Sequence, residues 1–343
     1  MKDYSIFLFF IFIFLIFVWQ GIFLPKDINS LEEKLFSIEK GESFFRIAQN
    51  LEKENLIQNQ FYFETHLIFK NQFGKLKAGE YLLSPSMTIP EIAQKIVSGD
   101  VIKEKITIVE GWNKREIVNY LEERGIMRSE DFLENLKHSQ WKNRYDFLKE
   151  ETAGNFYDRT KHQQMEEWDV EGFLFPDTYF VEKGILPEKI ISKMLDNFDK
   201  KLKPELREEI SRQEKTIFEI VTMASMIEKE VKTPEDKKLV SGILWKRLEN
   251  GISLQVDATI SYITGKKTVK IPLEDFQIDS PYNTYKYKGL PLGPICNPGL
   301  DSIRAAIEPE YSDYWYYLST PEGKTIFSKT LEEHNLAKSK YLR

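Results

Sequence analysis

The sequence predicts an α+β protein: an amino-terminal transmembrane helix, then a small βα module, then a larger mixed α+β domain. Three observations lead there. Residues 6–24 form an apolar run whose one polar member is Gln20. A strand–turn–helix pattern occurs twice, seventy residues apart. Beyond it, helices with apolar periodicity alternate with loops framed by proline and glycine. The chain has 343 residues and a net charge of −6 with interspersed signs, so it presents no basic face for nucleic acid.

The nineteen residues of the apolar run reach ~28 Å as a helix, enough to cross a bilayer core. No small-x-small cleavage site follows, and Trp19 and Lys26 suit the distal interface, which predicts a retained single-pass anchor. Residues 1–5 are then a cytoplasmic tail and the rest of the chain lies outside the cytosol. Lys2 favours that orientation, while Asp3 and Lys26 weaken the charge argument. The lone Cys296 allows no internal disulfide. His66, His138, His162 and His334 are scattered, and no dinucleotide, P-loop or HExxH pattern occurs, so neither a metal nor a cofactor is expected.

Strands are expected at Leu35 to Ile38 and Ile106 to Val109, each leading through a glycine turn into a helix (Gly41 to Ile57; Gly111 to Met127). Lys77 to Leu83 reads as a strand, and Thr88 to Gly99 as a helix with capping Thr, early Pro and terminal Gly. Asp146 to Trp168 is charged and aperiodic and reads as a surface excursion or lid. Pro187 to Arg212 is helical with a break at Pro204, and Thr233-Pro234 opens a helix from Glu235 to Leu248 with Leu239, Val240, Ile243, Leu244 and Leu248 on its buried face. Short strands, turns and a last helix beginning near Asp301 complete the chain.

Between those helices, Ile217, Ile220, Val221, Ala224, Ile227 and Val231 form an apolar stripe. Glu228 projects ~20° from Ile217, inside that stripe. A carboxylate there must pair, line a cleft or stay protonated, and a protonated carboxyl is what a general acid requires. The structural alternative is a buried Glu bridging to an Arg or a backbone amide. Lys229 and Glu230 are expected to be solvated. Three clusters read as loops rich in polar and aromatic residues: Glu171 to Phe180, Leu254 to Tyr262 and Ser280 to Gly299. Tyr282, Asn283, Thr284 and Tyr285 in the third suit sugar rings, which need a stacking face and directional partners.

The segments MASMIEKEV, LQVDATISY, SPYNTY, LPLGPICNPG and VEGFLFPDTYF resemble motifs of the endolytic murein transglycosylases of the MltG/YceG family. Leu290-Pro291-Leu292-Gly293 stands where the family often has Pro-Pro. The resemblance implies a LysM-like module at residues 25–103, a YceG-like catalytic domain at 104–343, and Glu228 as catalyst. It also implies lytic cleavage of the β-1,4 bond between N-acetylmuramic acid and N-acetylglucosamine, ending strands as 1,6-anhydro-muramyl units. Glycan strands are the implied substrate, peptidoglycan synthases the implied neighbours, and the bacterial cytoplasmic membrane the implied location. Gln255, Asp257, Glu171, Tyr282, Asn283, Thr284 and Tyr285 are the candidate substrate contacts, with structural roles also open to Asp257 and Glu171. Either of those two facing Glu228 would instead suit a muramidase-type hydrolase with paired carboxylates. A non-catalytic glycan-binding scaffold is the remaining alternative. His334 reads as a structural histidine.

Overall fold

The computed structural model describes residues 2–149, 169–266 and 271–342, with the side chains of 2–5 excepted. The chain divides into two compact units, residues 1–105 with 180–184, and residues 106–179 with 185–343. The described residues form a mixed α+β structure whose sheets are three two-stranded pairs.

The first unit opens with helix α1 (Lys2–Phe23), whose Ile6–Phe23 stretch is long and apolar enough to cross a membrane. Strand β1 (Lys34–Ile38), helices α2 (Phe44–Lys53) and α3 (Gln60–Phe69), and strand β2 (Gly79–Leu83) follow in βααβ order. β1 pairs antiparallel with β2, placing Phe36 opposite Tyr81. Helix α4 (Ile89–Ser98) has the punctuation its sequence announced: a capping box between Thr88 and Glu91, and Gly99 as a left-handed C-cap. Phe36, Leu51, Phe63, Leu67, Ile92 and Ile96 form the core. Helix α3 was not expected from the sequence, because it carries apolar residues on both its buried and its exposed sides, so no single stripe stands out.

Strand β3 (Lys103–Thr107) leads into α5 (Lys114–Glu123) and α6 (Ser129–Glu134). The segment expected to be a lid begins otherwise: Asp146–Leu148 is a 3-10 turn that buries Phe147 against Phe173 and Phe198. The rest of that segment, residues 150–168, lies outside the described residues. Strand β4 (Thr178–Glu182) and helices α7 (Pro187–Lys201) and α8 (Pro204–Arg212) follow, broken at Pro204 as expected.

Helix α9 (Ile217–Glu230) is the axis of the second unit. It is capped by Thr216 and Glu219, and every residue from Ile217 to Ile227 is buried. The expected stripe is therefore a fully enclosed helix, contacted by α8, α10 (Pro234–Glu249), α11 (Asp257–Thr264) and α12 (Leu300–Ile307). Trp245 on α10 donates its indole N–H to the Ala306 carbonyl at 3.0 Å, tying α10 to α12. Three expectations are corrected. Leu254 to Tyr262 is mostly helix, because Val256 and Ile260 are buried in this core. Leu239 is only half-buried. The last helix is α13 (Leu331–Tyr341), preceded by the antiparallel hairpin β5 (Tyr316–Ser319) and β6 (Thr325–Ser328).

Candidate active site

Glu228 lies in the last turn of α9 with its side chain 9% exposed. The Lys237 ammonium, 5% exposed, lies 3.2 Å from both carboxylate oxygens. The Gly299 amide donates to Oε2 at 3.0 Å and the Ser302 hydroxyl to the same oxygen at 2.6 Å. Gly299 is the N-cap of α12, so the carboxylate occupies the electropositive start of that helix. All its partners are donors. This departs from the apolar setting the sequence suggested: the side chain is enclosed, yet its oxygens are met by a cation and two further hydrogen-bond donors.

Lys237 was missed in the sequence, although a signal was present. It shares a helical stripe with Val240, Ser241, Leu244 and Leu248, all buried. A lysine on one apolar stripe nine residues after a glutamate on another is a pair that sequence can suggest. Gly299 and Ser302 reach the site only through folding.

The segment from Leu290 to Gly299 is fastened along α9. Ser225 accepts from the Ile295 amide at 3.0 Å, and the buried Cys296 thiol donates to the Ser225 carbonyl at 3.2 Å. Asn297 then joins three stretches of chain: its side chain accepts from Gly172 and Leu174 amides and donates to the Trp112 carbonyl. Its own carbonyl accepts from Gly111. These bonds explain why motifs distant in sequence meet at Glu228.

The same loop brings a second carboxyl group to the site. A Cβ on Gly299 would stand 2.1–2.7 Å from the Glu110 carboxyl atoms, so only glycine permits that approach. Glu110 as a residue remains exposed. Burial of its carboxyl, then the charge of Glu228, raises its pKa, and Lys237 opposes the shift. Glu110 is the acid that faces Glu228 electrostatically, a role the sequence had offered to Asp257 or Glu171.

Those two have hydrogen-bond partners of their own. Asp257 is exposed and accepts from the Tyr285 hydroxyl. Glu171 is buried, accepting from the Lys114 amide at 2.6 Å and the Tyr262 hydroxyl at 2.5 Å, with the Lys114 ammonium at 3.6 Å. Burial pushes its carboxyl above the usual carboxylate range, against the pull of Lys114. Tyr282 is half-buried with its ring 4.9 Å from Tyr262, and exposed Gln255 accepts from Arg247 at 2.9 Å.

Asn283 and Thr284, candidate sugar contacts from the sequence, have protein partners in this structure. Both are buried, and their polar atoms bond to the preceding segment and to the start of α11. Asn283 donates to the Phe276 and Ile278 carbonyls and accepts from the Tyr285 amide. Thr284 accepts from the Val256 amide and bonds to Thr259.

Glu230 is also corrected. It keeps partial solvent contact, yet burial and the charge of Asp257 raise its pKa to about 7, opposed by hydrogen bonds from Tyr317 and the Ala258 amide. Lys229 stays exposed but donates to the Gly111 carbonyl at 3.1 Å. Glu219, buried in the α9 capping box, is a further acid on this helix, so Glu228 is not its single enclosed carboxylate. His334 is buried with its ring stacked 5.2 Å from Tyr316, a structural setting that lowers its pKa through burial. Among the described residues no cluster of His, Cys, Asp or Glu could hold a metal ion.

Residues 36–340 match the model of the YceG-like family. The chain belongs to that family. It is 32% identical over 329 residues to the endolytic murein transglycosylase of Bacillus subtilis, covering 93% of this chain and 87% of the relative. It is 31% identical to the enzyme of that name from Streptococcus pneumoniae, covering 91% of this chain and 59% of that longer protein. The crystal structure of a yceG-like protein from Listeria monocytogenes, 33% identical, superposes with a TM-score of 0.59 over 90% of this chain and all of the other. In this YceG-like chain, the Glu228 motif and the Gly299 loop both fall inside the matched region.

Proposed function

We propose that the chain is a membrane-anchored endolytic lytic transglycosylase that cleaves the MurNAc-β-1,4-GlcNAc bond of nascent peptidoglycan and leaves 1,6-anhydro-MurNAc ends. The observation that carries this reading is Glu228 held between Lys237, the Gly299 amide and the Ser302 hydroxyl, in a chain whose relatives are named for this activity.

Glu228, at rest a carboxylate paired with Lys237, enters the step protonated and gives that proton to the departing glycosidic oxygen as the muramyl C1–O bond breaks through an oxocarbenium-like state. The carboxylate so formed is met by three donors already in place, which is stabilisation aimed at developing charge. It then takes the proton of the muramyl C6 hydroxyl as that oxygen bonds to C1, closing the anhydro ring. The proton returns to Glu228 and no water is consumed. On this reading residues 1–5 are a cytoplasmic tail, 6–24 the anchor, and 104–343 the catalytic domain outside the cytosol. The βααβ order of the first unit supports a LysM-like module at 25–103. A tethered enzyme meets strands emerging beside peptidoglycan synthases, so it would end their elongation.

Glu110 favours one second reading, a muramidase-type hydrolase in which paired carboxylates activate water. Mass analysis of the ends released from purified glycan strands separates the readings. Transglycosylation gives muramyl ends lighter by one water than the reducing ends of hydrolysis. Glu228→Gln should abolish anhydro ends while strand binding persists. Normal release by that variant would overturn the assignment of Glu228, and reducing ends from the unaltered protein would establish the hydrolase.

A further inference from the structure

The end of α1 is fixed to the first unit by close contact. A Cβ on Gly21 would lie 2.5 Å from the Tyr62 ring of α3, and Ile22 beside it is buried. α1 also packs against α4. Trp19 and Phe23, with rings 5.6 Å apart, remain exposed at this end of the helix. The end of the apolar helix therefore packs directly on the folded module.

Helix α3 continues that surface. Its inward residues are Phe63, His66 and Leu67, yet Phe61, Ile68 and Phe69 are 47%, 58% and 87% exposed. At ~100° per residue Ile68 falls ~20° from Phe61, and Phe69 falls ~20° from Tyr62, the residue that meets α1. The exposed apolar stripe is therefore continuous with the edge of α3 that adjoins α1. Exposing three large apolar side chains on one short helix is unfavourable in water and marks a surface that is covered. Lys70, exposed, follows directly.

We propose that α3 is an interfacial helix, with Phe61, Ile68 and Phe69 seated in the headgroup–acyl boundary of the bilayer that α1 crosses. The inference rests on the anchoring reading given above. Its physical basis is that aromatic and aliphatic side chains beside the emerging end of a membrane helix gain by partitioning into the interface. The surface is continuous with the apolar helix, which selects lipid over a soluble partner. Docking at two places, through α1 and α3, would hold the module at a fixed tilt against the membrane.

The test uses the full chain reconstituted in phosphatidylglycerol/phosphatidylcholine vesicles. Nitroxide labels are attached to Leu15→Cys, Phe69→Cys and Glu332→Cys, and Cys296, being buried, is left in place. Collision with apolar oxygen is compared with collision with a water-soluble nickel chelate. The label at 69 should favour oxygen severalfold relative to the label at 332, at a shallower depth than the label at 15. A label at 69 that behaves as at 332, while the label at 15 is lipid-immersed, overturns the interfacial helix and leaves the anchor standing. Shielding of 69 from both reagents shows a protein cover and also overturns it. A label at 15 accessible to the chelate overturns the anchor and the inference together.

Discussion

Replacing Lys237 with Met removes the ammonium that lies 3.2 Å from both oxygens of Glu228, where the two side chains are 5% and 9% exposed. Removing one partner of a buried ion pair costs about 3–5 kcal/mol, because the remaining charge stays out of water without its counter-ion. The Gly299 amide and the Ser302 hydroxyl still bond to the carboxylate, so the expected loss is at the lower end, about 3 kcal/mol. For a unit of this size that lowers Tm by about 6–12 °C. Glu228→Gln alone strands the ammonium and should cost a comparable amount. The double variant strands neither, and should lose only about 1 kcal/mol, giving a coupling of several kcal/mol. Trp112, Trp141, Trp245 and Trp315 lie in the second unit, against Trp19 in the first, so the fluorescence transition of the full chain in detergent reports chiefly this unit. Single-variant losses under about 1 kcal/mol that simply add in the double variant would refute the description of Glu228 and Lys237 as an interdependent buried pair.

Other perturbations test neighbouring parts of the site. Asn297→Ala leaves the Gly172 and Leu174 amides without their shared acceptor; a loss of about 2–5 kcal/mol is expected by urea unfolding, and a neutral result would contradict the loop-joining role. Gly299→Ala puts a Cβ where the Glu110 carboxyl now lies. That flexible carboxyl should swing into water, and carbon-13 titration should show the Glu110 pKa falling toward its ordinary value. Glu230 has its pKa raised from 4.5 to about 7, so between those values the folded chain keeps a proton that the unfolded chain has released. Stability from this group therefore falls as pH rises through that window. Glu230→Gln should match the unaltered protein below pH 4.5 and exceed it in Tm above pH 7; parallel Tm curves would show the carboxyl is not burdened by burial.

Local rules made much of the fold legible. The apolar run of α1, the caps of α4 and α10, and the break at Pro204 are signals carried by neighbours in sequence, and each appears where expected. Helix α3 and helix α11 were not legible, for related reasons. One carries apolar residues on its buried and exposed sides alike, and the other is short and framed by residues that also suit loops. The solvation expected of Glu230 failed because helical spacing gives direction along α9 but says nothing of Tyr317 and Ala258 arriving from elsewhere.

Within the candidate site the same division holds. Sequence alone marked Glu228, since an acid on an apolar stripe is anomalous wherever the helix packs. Tertiary structure decided what the carboxylate meets: Lys237 across a helix break, Gly299 and Ser302 at the start of α12, and Glu110 against Gly299. It also decided what Asn283 and Thr284 meet: Asn283 bonds to Ile278 nearby, and Thr284 to Val256 at the start of α11. The physical reason is the range of the forces involved. Periodicity and capping act over a few residues and are written in their order, whereas pairing of buried charges depends on segments that only folding brings within hydrogen-bond distance.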